Sequence, residues 1–144
     1  MNVLFDTSVF VAAFEVSHPR HGVCLPWLQR AQKKEISGYL STHTFAELYS
    51  VLTRLPVKPT IAPSTAQRLI DKNLHLFVAV PLTAHDYQQA ITCMVGLNLP
   101  GGGIFDALIA QAALKAEVDV LLTLNPGHFT RLGKDLAQRV QVPS

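Results

Sequence analysis

Of the ten acidic residues in this 144-residue chain, three sit among large apolar side chains: Asp6 in LFDTSVF, Glu47 in TFAELYS and Asp106 in GIFDALIA. A charge that leaves water without a partner is costly, so each must cap something, pair with something or hold a cation. If the three converge, their repulsion has to be neutralised, and a divalent cation with oxygen ligands does that best. A carboxylate-rich site suits Mg²⁺ or Mn²⁺. Such ions activate a water and stabilise charge building on a phosphoryl group, which is the chemistry of phosphodiester cleavage by nucleases. Each acid also has a plainer reading. Asp6 could cap the first helix, Asp106 could occupy a first turn favoured by the helix dipole, and Thr44-x-x-Glu47 has the form of a capping box. Either reading accounts for any one acid, but three together favour a site.

Other groups with chemical potential are fewer. Ser8 is expected as the N-cap of the first helix, although its hydroxyl could instead hold Asp6 or a metal-bound water, and Thr7 is ambiguous. The six histidines show no HExxH or other metal spacing, so His18, His21, His43, His75 and His85 are expected at the surface or in loops. Gly101 to Gly103 lack the P-loop Lys and the Rossmann spacing and read as a hinge before a helix. Cys24 and Cys93 have neither zinc-site spacing nor the pattern of a disulfide framework, and fit reduced thiols in a cytoplasm.

The elements that must position the acids follow from periodicity. Val3-Leu4-Phe5 reads as a short buried strand and Ser8 opens a helix, which puts Asp6 at a strand-to-helix turn. His18 to Lys34 has mixed helical periodicity, with Pro26 expected to start or kink a helix. Gly38 to Ser41 reads as a second strand, followed by a helix whose apolar stripe is Phe45, Leu48, Tyr49 and Leu52, with Glu47 off that stripe. Leu55 to Pro63 is a proline-rich loop, after which Ser64 is expected to cap a helix to about Asn73. Leu76 to Val80 is a third strand. Thr83-Ala84-His85-Asp86 is a capping box for a helix ending at Gly96. Leu108, Ile109, Ala112, Ala113 and Ala116 make the apolar face of a helix that follows Asp106. Asp119 to Leu124 is a buried strand broken by Asn125-Pro126-Gly127, and Val140 to Val142 an edge strand.

Short apolar strands alternating with helices imply an α/β sandwich around a mostly parallel sheet. In such sheets helix starts cluster at the carboxyl ends of the strands, where ligands bind, so the three acids can converge. A hydrophobic content of 49% against 15% charged residues argues for one compact domain over 1–144 and against a disordered role. The net charge of +2 permits an anionic partner such as nucleic acid without demanding one. No targeting or membrane-spanning segment is expected, because the run Val9 to Phe14 is too short to cross a bilayer.

DTSVF near the start, AEL some forty residues on, and FDALIAQAALKAEVDVLLTLNPGHF resemble the PIN domain, in particular the small VapC-type toxins. Order, spacing and the terminal TLNPGHF element carry the resemblance over nearly the whole chain. It implies a PIN-like three-layer sandwich and a metal-dependent endoribonuclease, held inactive by a cognate antitoxin and usually homodimeric. It assigns Asp6, Glu47 and Asp106 as Mg²⁺ ligands, with Mn²⁺ as a substitute and Ser8 or Thr7 as a supporting hydroxyl. Many members have a fourth acid in the last motif, where this chain has Asn125 and His128. Asn125 can orient a ligand or water and His128 can contact phosphate or move a proton, but neither supplies an anionic oxygen for a second metal. The competing readings are a non-catalytic PIN-like RNA-binding or adaptor protein, and a phosphatase of the haloacid-dehalogenase type, which the absence of a second Asp two positions after Asp6 disfavours.

Overall fold

The computed structural model describes residues 1–144. Its elements are β1 (Asn2–Phe5), α1 (Thr7–Phe14), α2 (His21–Gln32), β2 (Ser37–Ser41), α3 (Thr42–Arg54), α4 (Pro63–Leu74), β3 (Val78–Val80), α5 (Ala84–Gly96), α6 (Gly103–Lys115), β4 (Val120–Leu122), α7 (Pro126–Thr130), α8 (Lys134–Ala137) and β5 (Val140–Gln141). The five strands form one sheet in the order β3-β2-β1-β4-β5, and every neighbouring pair is parallel. The mostly parallel sheet expected from sequence is therefore parallel throughout. From central β1 the chain steps outward through β2 and β3, then crosses to β4 and β5 on the other side. The carboxyl ends of β1 and β4 thus flank a topological switch point, the position where open α/β sheets bind ligands.

Alternation along β1 divides the core. Val3 and Phe5 pack with α1 to α4, in a cluster that includes Phe10, Trp27, Leu48, Leu52, Ile70 and Phe77. Leu4 faces the other way, toward Ile109, Ala112 and Ala113 of α6 and toward Phe129 and Leu136. This gives the three layers of the expected sandwich. Phe5, Phe10 and Phe77 form an aromatic knot with ring centroids 5.1 to 5.3 Å apart. Gly38 in β2 makes room for it, since a Cβ there would lie 2.6 Å from the Phe77 ring.

Several local readings change. Helix α4 starts at Pro63 with Ala62 as its N-cap, so Ser64 is not the cap; proline at N1 already supplies the helical φ and lacks an orphan N–H. Pro26 lies inside α2, which begins at His21. Of the apolar stripe on α3 only Leu48 and Leu52 are fully buried, whereas Phe45 and Tyr49 are 37% and 43% exposed, where they line a shallow groove with Pro63 and Ile70 of α4. Asn125-Pro126-Gly127 does not simply break the chain: Pro126 opens the short α7. The capping box at Thr83 and Asp86 forms as expected. No helix is long and apolar enough to cross a membrane.

Candidate active site

Asp6 leaves the end of β1 while its backbone still belongs to the sheet, its N–H bonding the Leu122 carbonyl at 2.9 Å. It occupies the N-cap position of α1, yet its side chain makes no capping hydrogen bond. The plain capping reading of Asp6 therefore fails, and so does the expectation that Ser8 is the N-cap, since Ser8 lies in the first turn. Instead the Ser8 hydroxyl donates to Asp6 Oδ2 at 2.7 Å, and the Thr123 hydroxyl donates to the same oxygen at 2.8 Å. Both hydroxyls are fixed in turn by the loop after β4: Ser8 Oγ accepts from the Leu124 N–H and Thr123 Oγ1 from the Asn125 N–H. Asp6 is 4% exposed. Burial raises its pKa, the two hydroxyls act against the rise, and the charge of Glu47 adds to it.

Glu47 projects from the second turn of α3. The N-cap of that helix is Ser41, whose hydroxyl accepts from the His43 N–H, so Thr44 and Glu47 lie inside the helix and form no capping box. His43, one turn earlier, brings Nε2 to 3.5 Å from Glu47 Oε2, a contact of ion-pair length that falls short of a hydrogen bond. Burial works to raise the Glu47 pKa, but His43 and Thr7 outweigh it and the net direction is down. His43 is thus no loose surface residue: its side chain is 16% exposed and its ring stacks on Phe105, with centroids 5.2 Å apart and planes within 2°.

Asp106 stands in the first turn of α6, with Oδ2 3.3 Å from His128 Nδ1 of α7. Its carboxyl is pushed up to about 6, first by burial and then by the charge of Asp6, against an opposing pull from His128. Asp6, Glu47 and Asp106 line one cavity of about 460 Å³, together with Thr7, Ser8, Asn125, His18 and Arg20. All three acids singled out from sequence are therefore brought together, along with Ser8 and Asn125. His128 reaches the site through Asp106, and His18 belongs to the cavity wall, where sequence placed it merely at the surface.

The carboxylates share a pattern. The close contacts fall on one oxygen of each: two hydroxyls donate to Asp6 Oδ2, His43 Nε2 approaches Glu47 Oε2 to 3.5 Å and His128 Nδ1 approaches Asp106 Oδ2 to 3.3 Å. Asp6 Oδ1, Glu47 Oε1 and Asp106 Oδ1 take no part in these contacts. Supporting contacts on one oxygen that leave the other available are how outer-shell groups orient metal ligands. An all-oxygen donor set also fits a hard cation. The acids do not by themselves close into a tight ligand cluster, so water would have to complete the shell of an ion held there.

Sequence reasoning missed Thr123, Phe105 and Arg20 as parts of this site. Thr123 is fully buried, and a polar residue in the run VLLTL was the available signal. Phe105 directly precedes Asp106, and Arg20, which sequence offers only as one of several bases for RNA contact, lies in the segment of mixed helical periodicity.

Residues 3–135 match the PIN domain family. The chain is 30% identical over 117 residues to Ribonuclease VapC27 of Mycobacterium tuberculosis, covering 80% of this chain and 79% of that protein. It is 33% identical over 117 residues to Ribonuclease VapC40 of the same species, covering 81% of each. Among solved structures, VapBC2 from Rickettsia felis bound to a DNA fragment from their promoter matches with a TM-score of 0.71 and 20% identity, each chain covered completely.

Proposed function

Since the chain belongs to the PIN domain family, we propose that it is an endoribonuclease that hydrolyses RNA phosphodiester bonds with Mg²⁺ or Mn²⁺, as the toxin of a VapBC-type pair. The observation that carries this reading is the convergence of Asp6, Glu47 and Asp106 on one cavity. When bound, the ion supplies an activated water and offsets the charge that builds on the phosphoryl group.

The chain's own residues supply the rest. Ser8 and Thr123 hold Asp6 Oδ2 and so fix the angle at which Oδ1 meets the cavity. His43 and His128 do the same for Glu47 and Asp106. Asn125, on the cavity wall, presents an amide that can orient water or a phosphate oxygen. Hydrolysis breaks one P–O bond and the departing ribose oxygen needs a proton; His128, half exposed beside Asp106, is the group we assign to deliver it. Arg20, which also lines the cavity, is a cation for the RNA backbone, a contact that positions a strand without reading its sequence.

Two protein partners belong to the same reading. A cognate antitoxin would inhibit by placing Arg or Lys over the carboxylates, where charge-assisted bonds replace the ion. A second copy of the chain would cover the exposed stripe Tyr87, Ile91 and Val95 on α5, which are 42%, 54% and 73% exposed and share one helix face at a spacing of four.

The test is cleavage of a mixed RNA pool by the purified chain with Mg²⁺, with Mn²⁺ and with excess chelator. Metal-dependent cleavage is expected, and undiminished cleavage in chelator would overturn the mechanism. Specific RNA binding with no cleavage under any metal would favour the non-catalytic reading.

A further inference from the structure

Resting on the ribonuclease reading above, we infer that Phe105, stacked on His43, is a platform for one nucleobase flanking the scissile phosphate. Phe105 is 47% exposed, although the residues on either side of it carry the core packing of α6 and the carboxylate of Asp106. Its ring is parallel to that of His43 within 2°, so one face is backed by an imidazole from another helix and Phe105 itself presents the exposed aromatic surface. The platform lines a cavity of about 360 Å³ with Glu47, Ser50 and Arg54. Glu47 also lines the larger cavity with Asp6 and Asp106, so the two spaces adjoin through that carboxylate. A strand whose phosphate lies among the three acids would therefore carry its neighbouring nucleotide to Phe105, with Arg54 placed for the next phosphate.

Stacking on an aromatic face tolerates any base because every base has a π-face, but it requires that the base leave its own helix. An isolated exposed aromatic needs no explanation. Three features set this one apart: a second aromatic ring ordered against it, a carboxylate of the site on each supporting helix, and a cation in the same cavity. The alternative role, a clip between α3 and α6, demands only that the ring be apolar and of similar size.

The experiment compares Phe105→Leu, Phe105→Tyr and Phe105→Trp with the unaltered protein. Steady-state cleavage of a single-stranded oligonucleotide is paired with tryptophan fluorescence of Phe105→Trp titrated with uncleaved oligonucleotide in chelator. Thermal melts of each variant confirm folding. The inference expects KM to rise about tenfold in Phe105→Leu, the scale of one lost base stack, with kcat within about threefold. Phe105→Tyr should restore KM. The new tryptophan should be quenched by the oligonucleotide, and not by one with an abasic unit at the nucleotide flanking the cut. Buried Trp27 provides the background signal in the unaltered protein. If Phe105→Leu cleaves with unchanged KM and quenching ignores the abasic unit, the platform is overturned while the ribonuclease reading stands. If the unaltered chain neither binds nor cuts RNA, both fall together.

Discussion

Asp86 and Asp106 occupy the same kind of position, the first turn of a helix that packs against the other's helix, yet their chemistry diverges. Asp86 Oδ2 accepts from Lys115 Nζ at 2.7 Å and from the Thr83 N–H at 2.8 Å, and the Lys115 bond, reinforced by the cap, brings its carboxyl down to about 2. Asp106 has no lysine or hydroxyl on its carboxylate, faces two other acids, and is pushed up to about 6. The same residue type at the same helical position is a stabilising cap in one place and a strained charge in the other. What separates them is the balance of desolvation and neighbouring charge: Lys115 stands directly on Asp86, whereas Asp106 is desolvated beside Asp6 and Glu47 and the pull of His128 and Arg131 does not offset this.

The largest effect that could break this contrast is a paired amide substitution. Asp106→Asn should reduce metal-dependent cleavage by more than about a hundredfold, since loss of mere outer-shell partners already costs about 10- to 100-fold, while its melting temperature without metal stays equal or rises as repulsion is relieved. Asp86→Asn should keep cleavage intact and lower the melting temperature. Melting and cleavage assays on both proteins would refute the contrast if the two variants behaved alike.

Thr123→Val probes a residue that, like Ser8, serves folding and site at once. Removing its hydroxyl leaves a buried Asp6 oxygen with a single donor, so unfolding free energy should fall by about 1–3 kcal/mol, and cleavage by about 10- to 100-fold. Denaturant melts beside kinetics check both. A change in stability alone would make Thr123 a packing residue.

Titration sharpens the comparison because the signs are opposite. The native Asp106 holds its proton to about pH 6 against an ordinary value of 3.8, so between these limits the folded state binds more protons than the unfolded one. Its contribution to metal-free stability is thus full in acid and is lost as pH rises through about 6. Cleavage, which needs the ionised carboxylate, should rise over the same range. For Asp86 the contribution is present above its ordinary value of 3.8 and is lost as pH falls toward about 2. Profiles of activity and melting temperature against pH carry this test, with the Asp106→Asn melting profile as the control that lacks the change near pH 6.

Thr83→Ala is the mildest. Loss of the N-cap hydroxyl, which accepts from the Asp86 N–H, should cost about 1 kcal/mol and leave cleavage unchanged. A loss of cleavage would link the two regions through α5 and α6, contrary to the account.

The same contrast explains what the sequence disclosed. The capping box was legible because Thr83 and Asp86 lie within three residues of each other, and β1 with its following acid because apolar runs and turns are local signals. Asp6, Glu47 and Asp106 stood out because each charge was set among apolar neighbours. The partners that make them a site were not legible: Thr123 lies 117 residues from Asp6, and His43 and Phe105 meet only because α3 and α6 cross at the carboxyl end of the sheet. Ser8 was read first as a cap, with a bond to Asp6 as the alternative that the structure bears out, and Ser64 as a cap from type alone, whereas Asp6 and Pro63 already fix those helix starts. Phe45 and Tyr49 followed the helical period but lie at a groove with α4 that periodicity could not reveal.

The claim that these acids form one cation site is tested most directly at Glu47, through calorimetric titration of Mn²⁺ into the metal-free chain and into Glu47→Gln. The account predicts a saturable site in the unaltered chain that is lost or weakened at least about tenfold in Glu47→Gln, whose metal-free melting temperature is no lower. Equal Mn²⁺ affinity in the two proteins would mean that Glu47 holds no ion, and the three-carboxylate site would be contradicted.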